Sequence, residues 1–256
     1  MLLVVLLVLP AAIVRPFHRW QHKWPARLLG STLCFTGSRV EVTYDARHQR
    51  ERRSVFVQNH VSMLDGHLAL GTIAHPFCGV ENAAHFRIPA YGWLMALGGG
   101  IRVPKRPGGR LNGIIAQARQ RLQERNLSIL VLPEGGRTTD GRLKPFHRGG
   151  FFLARELGLP VVPLAVRGMF HVLRRGSLCV RPGLIEIYVG PQIETGGMTD
   201  ADIEQLTRKV RVAIAAWVAR KEPVPADLSA WLRRPLSGAE EPLAPPPAMA
   251  IEAALG

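Results

Sequence analysis

Two kinds of hydrophobic pattern alternate along the chain from residue 39 to residue 221. Short runs rich in Val, Ile and Leu predict buried strands, and longer stretches with apolar residues at helical spacing predict helices. Strands are predicted at Arg39–Tyr44, Ser54–Gln58, Pro76–Val80, Ser128–Leu132, Val161–Val166 and Leu184–Val189. Helices are predicted at Ser62–Ala74, Pro89–Leu97, Gly109–Arg125, Gly149–Leu157 and Thr199–Lys221. This alternation predicts an α/β fold with a central, largely parallel sheet flanked by helices.

The first 35 residues have a different pattern. Met1–Val14 is apolar throughout apart from Pro10, and as a helix it would be about 21 Å long, against roughly 30 Å for a bilayer core. Basic residues follow it, with Trp20 and Trp24 among them, as in segments that anchor at a membrane interface. We therefore predict a membrane-associating segment over residues 1–35. Whether it spans the bilayer or lies in one leaflet stays open, and the alternative is a buried helix of the domain.

The chain after residue 221 changes composition again. Residues 222–256 are rich in Pro and Ala, a composition that favours disorder. The sequence thus predicts three parts: a membrane segment at 1–35, a folded domain at 36–221 and a disordered tail at 222–256.

The net charge of the chain indicates which classes of binding partner it favours. The chain has 256 residues, with 33 Lys and Arg against 19 Asp and Glu, for a formal net charge of +14. Such an excess favours a polyanion: nucleic acid, an anionic lipid surface or a phosphorylated substrate; a genomic bias toward Arg is the alternative explanation. The three cysteines lie far apart without a CxxC pair, which argues against a zinc ribbon and a disulfide framework.

The first candidate for chemistry follows the second predicted strand. His60 and Asp65 would lie about 140° apart within one helix and on opposite faces within one strand. They can meet if His60 lies in the strand-to-helix turn and Asp65 lies in the first helical turn. The competing interpretation is structural: Ser62 as the N-cap and Asp65 at the third helical position would form a capping box.

Two glycine-containing segments supply candidate binding groups. Leu132–Thr138 follows a buried strand and places Gly135 and Gly136 between Glu134 and Arg137. The glycines let a ligand approach the backbone, and a guanidinium can bind phosphate; a solvent-exposed turn is the alternative.

The second segment, Gly98–Arg106, is glycine-rich and ends in Lys105 and Arg106. This composition, just before a predicted helix, favours anion binding.

Several other chemistries are absent from the sequence. It has no GxGxxG or GxxxxGK[ST] loop and no GxSxG turn, which argues against a dinucleotide site, a P-loop and a hydrolase serine. His67 and His75 do not have ligand spacing with His60, so no metal site is predicted. Neither aromatic-rich basic strands nor a helix-turn-helix is present, so no nucleic-acid partner is predicted.

The order of these segments resembles the glycerolipid acyltransferase family, which includes the 1-acylglycerol-3-phosphate acyltransferases. That family has four blocks: NHxxxxD, a Gly-rich block ending in Arg, FPEGTR, and a hydrophobic block with Pro. Here they correspond to Asn59–Asp65, Gly98–Arg106, Leu132–Arg137 and Val162–Leu164. Two departures stand out. Gly136 replaces the Thr of FPEGTR, and the second block offers both Lys105 and Arg106 for its cationic position, Arg106 being preferred.

The resemblance implies transfer of an acyl group from acyl-CoA or acyl carrier protein to the hydroxyl of a lysophospholipid, chiefly 1-acyl-sn-glycerol 3-phosphate, to give phosphatidic acid. It implies His60 as general base and Asp65 as the group that orients it. Acceptor binding would fall to Arg106, Lys105, Glu134, Gly135, Gly136 and Arg137. No cofactor is implied, and the expected location is the cytoplasmic face of the inner or plasma membrane. The alternatives are another lyso-lipid acceptor, such as a lyso-aminolipid, and a non-catalytic lipid-binding protein.

Overall fold

The computed structural model describes residues 36–89, 91–104, 110–177 and 179–234. The strands are β1 (Arg39–Tyr44), β2 (Val55–Gln58), β3 (Phe77–Asn82), β4 (Ile101–Val103), β5 (Ser128–Val131), β6 (Val161–Arg167) and β7 (Leu184–Val189). The α-helices are α1 (Asp65–Thr72), α2 (Tyr91–Leu97), α3 (Arg110–Arg125), α4 (Gly149–Glu156), α5 (Met169–Val172), α6 (Asp200–Arg220) and α7 (Leu228–Arg233). A 3₁₀ helix, Ala83–Arg87, joins β3 to α2.

The seven strands form one sheet in the order β1-β7-β6-β2-β5-β3-β4. All neighbouring strands are parallel except β6 and β7, which are antiparallel. The predicted largely parallel sheet is therefore confirmed. Strands β2 and β5 lie in its middle and are buried on both faces, as the continuous apolar character of their sequences requires.

Helices cover both faces of the sheet. Residues of α3, α4 and α6 pack on one face around Phe151, Val210 and Trp217. Residues of α1 and α5 pack on the other face around Leu68 and Met169. Because β2, β5 and β6 are adjacent and parallel, their carboxyl ends lie together at one edge of the sheet, where loops in such folds place functional groups.

The structure differs from the predicted tail at residues 222–234. Val224 is 3% exposed and packs in the main core, and Arg47 donates hydrogen bonds to the carbonyls of Val224, Pro225 and Ala226. Arg47 also pairs with Asp45 and lowers the pKa of that carboxyl to about 2. The high Pro content favoured a prediction of disorder, whereas residues 222–234 are folded against the domain. The folded domain therefore extends at least to residue 234. Residues 235–256 lie outside the described residues.

The short strand β4 was not predicted, because three residues after a glycine run are too few to establish a period. The predicted membrane segment at 1–35 lies outside the described residues. None of the helices within the described ranges is long and apolar enough to cross a membrane.

Candidate active site

The turn after β2 brings His60 and Asp65 together. His60 Nδ1 lies 2.7 Å from Asp65 Oδ2, and the same oxygen accepts hydrogen bonds from the backbone N–H groups of Val61 at 2.8 Å and Ser62 at 3.0 Å. The Asp65 side chain is only 1% exposed, whereas that of His60 is 19% exposed. Since Nδ1 faces a carboxylate, a neutral imidazole carries its proton there, and Nε2 is left as the basic nitrogen.

The competing capping box forms only in part: Ser62 N donates to Asp65 Oδ2, whereas Asp65 N donates to the Ser62 carbonyl and not to the Ser62 hydroxyl. Helix α1 begins at Asp65 after Leu64, which makes no side-chain capping bond, and the Ser62 hydroxyl accepts from Leu64 N at 3.3 Å. The Asp65 carboxylate instead folds back over the preceding turn toward His60. Both groups thus occupy the positions that a working pair requires: His60 in the turn and Asp65 in the first helical turn.

Glu134 holds the backbone on which His60 sits. Its Oε1 accepts from His60 N at 2.7 Å and its Oε2 accepts from Lys144 N at 2.9 Å. Glu134 is 6% exposed, and burial raises the pKa of its carboxyl despite these two bonds. Thr138 N in turn donates to His60 O at 3.0 Å. Both carboxylate oxygens of Glu134 are thus bound to backbone N–H groups of the protein, and its role in acceptor binding stays a prediction.

Asn59 fixes the same turn from the opposite side. Its amide donates to Val166 O at 2.9 Å and accepts from Val166 N at 2.7 Å. These two bonds replace the ladder that would otherwise continue between β2 and β6. The residue before the base is thereby tied to the neighbouring strand, and the sequence alone had not assigned it this role.

Two half-buried cations, Lys144 and Arg211, hold the loop that carries the glycines. Lys144 Nζ donates to Gly136 O at 3.0 Å and to Arg137 O at 2.9 Å, and Arg211 donates to Lys144 O at 2.9 Å. Gly135 has a φ of 67°, and a Cβ there would lie 3.2 Å from the His147 ring, so glycine is required.

Gly136 is different, because a Cβ at that position would meet no atom within 4 Å. The Cβ of the Thr that the resembled family has at this position would therefore have open space around it.

Arg137 precedes Thr138, whose backbone N–H donates to the His60 carbonyl. Its guanidinium forms neither a hydrogen bond nor an ion pair with any of the described residues, while its carbonyl accepts from Lys144 and, at 3.4 Å, from Arg175. Arg175 was not identified from the sequence, although Arg174 and Arg175 lie in a stretch, 167–183, that contains no Asp or Glu. Lys105 and Arg106 lie outside the described residues, although β4 ends at Val103 on the same edge of the sheet.

No metal-binding group of three or more His, Cys, Asp or Glu side chains occurs in the described part of the chain. The site thus consists of a histidine with one basic nitrogen available and a buried carboxylate behind it, with Arg137 in the neighbouring loop. Such a set removes a proton from a hydroxyl and binds an anion, as general-base catalysts of group transfer do.

Comparison with known proteins agrees with this class of site. The family model "Acyltransferase" matches residues 39–167, which is half of the chain, and the chain belongs to this acyltransferase family. The match begins at β1 and ends at β6, and it includes the His60–Asp65 turn and the Glu134 loop.

Curated relatives include 1-acyl-sn-glycerol-3-phosphate acyltransferases. That of Limnanthes douglasii is 28% identical over 171 residues, covering 67% of this chain and 61% of the relative. The human beta enzyme is 28% identical over 172 residues, covering 67% of this chain and 62% of the relative. The alignments thus span less than two thirds of these relatives. A crystal structure of the 1-acyl-sn-glycerophosphate acyltransferase of Thermotoga maritima has the same fold, with a TM-score of 0.66 and 20% identity, covering 83% of this chain and 92% of that one.

Glu134→Gln should lower kcat about tenfold to a hundredfold while leaving the acceptor KM nearly unchanged. The amide can accept only one of the two N–H bonds, and a small displacement of a catalytic group has costs of this order. Steady-state kinetics with the acceptor varied would measure the split between kcat and KM.

Asp140→Asn is the matched control, because Asp140 is an exposed carboxylate of the same loop. A rise in KM without loss of kcat in Glu134→Gln would instead support the acceptor-binding role predicted from the sequence.

Proposed function

We propose that this chain transfers an acyl group from an acyl thioester to the hydroxyl of 1-acyl-sn-glycerol 3-phosphate, giving phosphatidic acid. The observation that carries the proposal is the 2.7 Å contact between His60 and Asp65, which leaves Nε2 of a partly exposed imidazole as the base. The family and the named relatives support acyl transfer as the reaction. Either acyl-CoA or acyl carrier protein fits as donor, and no cofactor is needed.

In the proposed mechanism, His60 Nε2 removes the proton of the acceptor hydroxyl as its oxygen attacks the thioester carbonyl. The resulting imidazolium is stabilised by the Asp65 carboxylate behind it, which also keeps the ring in the required tautomer. Collapse of the tetrahedral intermediate breaks the carbon–sulfur bond, and the thiolate takes the proton from His60. The ester forms, the thiol leaves, and the enzyme returns to its starting state without an acyl-enzyme intermediate.

Arg137 fits the acceptor phosphate. Its guanidinium lies free of protein partners within the described residues, and charge-assisted hydrogen bonds from a guanidinium to a phosphate are roughly twice as strong as those between neutral groups. Lys105 or Arg106 would provide a second cation for the phosphate, with Arg106 preferred. Gly135 and Gly136 would let the head group approach the backbone. The cytoplasmic face of the membrane is the proposed location, with residues 1–35 as anchor and the basic surface facing anionic lipid.

Purified protein with labelled acyl-CoA or acyl carrier protein, offered to a panel of lyso-lipids, tests this assignment. Lysophosphatidate should be acylated fastest. Transfer confined to a lyso-aminolipid would replace the acceptor, and absence of transfer to every acceptor with either donor would favour a non-catalytic lipid-binding protein.

His60→Ala should abolish transfer, and Asp65→Asn should lower kcat by about 10³–10⁴-fold while the melting temperature changes little. All three hydrogen bonds end on Oδ2. With the Asn oxygen at that place, the bonds remain but the negative charge that stabilises the imidazolium is lost; with the amide nitrogen there, the imidazole is held in the wrong tautomer. Single-turnover rates and thermal melts on the same preparations separate catalysis from folding.

The matched control is Asp200→Asn, because Asp200 is 78% exposed at the start of α6. Near-wild-type turnover in Asp65→Asn would exclude the pair as the catalytic unit.

Arg137→Ala should lower kcat/KM for lysophosphatidate about tenfold to a hundredfold, chiefly through KM, since a hydrogen bond to a charged group contributes roughly 1.5–3 kcal/mol. The loss should disappear with an acceptor that lacks the phosphomonoester. Arg142→Ala, at an exposed arginine of the same loop, should leave these constants unchanged. Equal losses with and without the phosphate would show that Arg137 supports the loop instead of the ligand.

A further inference from the structure

Three arginines in the loop between α5 and β7 are exposed and have no acidic partner. They are Arg174, Arg175 and Arg181, and together they are called the arginine loop. None of them forms an ion pair with any residue of the described ranges, and the stretch 167–183 contains no Asp or Glu. Like charges that lie close together repel each other, so a bound anionic partner would relieve an unfavourable interaction here.

The backbone of the arginine loop is fixed, although its side chains are exposed. Arg181 N donates to Val172 O at 2.9 Å, which closes the loop at its base, and both Val172 and Leu173 are buried. Within the loop, Ser177 N donates to Arg174 O at 3.2 Å. A backbone that is already ordered presents its guanidinium groups at a lower entropic cost of association.

A single peptide group connects the arginine loop to the candidate base. Arg175 Nη1 donates to Arg137 O at 3.4 Å, and the nitrogen of the same peptide group, Thr138 N, donates to His60 O at 3.0 Å. Strand β6, which precedes α5 and the loop, is parallel to β2, so the chain leaves both strands at the same edge of the sheet. A partner bound by the arginines therefore lies beside the turn that carries His60.

The thioester donor of the proposed reaction is the partner whose chemistry suits this loop. Acyl-CoA and acyl carrier protein both hold the thioester on a phosphopantetheine arm, but only the carrier protein adds an acidic protein surface. A nucleotide base is typically bound by stacking on an aromatic side chain, and residues 172–187 contain none. Exposed arginines along a loop fit a protein surface of opposite charge, because complementary charges steer the encounter and fix the orientation.

We propose that the arginine loop docks the acidic surface of an acyl carrier protein, which delivers its thioester to His60 on the phosphopantetheine arm. The identity of the partner rests on the proposed function, whereas docking itself does not require turnover. The proposal separates two donors that the chemistry of His60 and Asp65 leaves equivalent: the carrier protein is the preferred donor, and acyl-CoA is the weaker one.

Binding of fluorescently labelled holo acyl carrier protein to the full-length protein tests docking without any turnover. Fluorescence anisotropy at low and moderate salt compares the wild type with Arg174→Glu and Arg181→Glu. Arg175 is left intact, because it also donates to the Arg137 carbonyl. Arg208→Glu is the matched control, because Arg208 is an exposed arginine of α6 and its reversal changes the net charge by the same amount.

Each reversal in the arginine loop should weaken carrier binding about tenfold, and added salt should weaken binding to the wild type. Arg208→Glu should bind the carrier as the wild type does. In steady-state kinetics, the KM for acyl carrier protein should rise in parallel with the loss of binding. The KM values for acyl-CoA and for lysophosphatidate should stay within about twofold of the wild type, because neither ligand carries the acidic protein surface.

Carrier binding that is undetectable, or that none of the substitutions changes, would overturn the proposal. An equal rise in the KM for acyl-CoA would also overturn it, because the arginines would then bind phosphate groups. So would loss of binding to phosphatidylglycerol vesicles with unchanged carrier binding, which would assign the arginines to lipid. A protein that binds the carrier through these arginines but transfers no acyl group would support docking and contradict the proposed function alone.

Discussion

One buried oxygen atom, Asp65 Oδ2, determines where the candidate base sits. This oxygen lies within 3.0 Å of His60 Nδ1 and of the backbone nitrogens of Val61 and Ser62. The backbone of the turn and the imidazole therefore share one hydrogen-bond acceptor. These contacts compensate the loss of water at Oδ2, whereas Oδ1 is buried without a hydrogen-bond partner among the described residues. Moving the carboxylate would therefore disorder the turn and rotate the base at the same time.

The loop after β5 also holds His60 in place. The Glu134 carboxylate accepts a hydrogen bond from the His60 backbone N–H, and the Thr138 backbone N–H donates to the His60 carbonyl. Both backbone polar groups of His60 are therefore bound by the loop after β5. Asn59 makes the equivalent connection to β6. Three neighbouring strands therefore position one imidazole, which is how a rigid scaffold reduces the cost of orienting a catalytic group.

The sequence predicted the sheet and most helices because β2, β5 and β6 are continuous apolar runs and α6 has a clear helical period. It also identified His60 and Asp65, where the spacing allowed only one productive geometry. It did not predict that both carboxylate oxygens of Glu134 accept backbone N–H groups, because the sequence does not show whether a carboxylate contacts backbone or a substrate. The folding of residues 222–234 was not predicted, because the side chains that hold them, those of Arg47 and Lys209, are distant in the sequence. These side chains donate to backbone carbonyl groups, which every residue has and which therefore carry no sequence information.

The protonation of the His60 ring tests the central claim most directly. With ¹⁵N-labelled histidine, and with His60→Ala to assign the signals, the nitrogen spectrum of the neutral ring reports which nitrogen bears the proton. The account predicts a proton on Nδ1 and none on Nε2 in the wild-type protein. A wild-type ring protonated at Nε2 would leave no base facing the acceptor and would contradict the account.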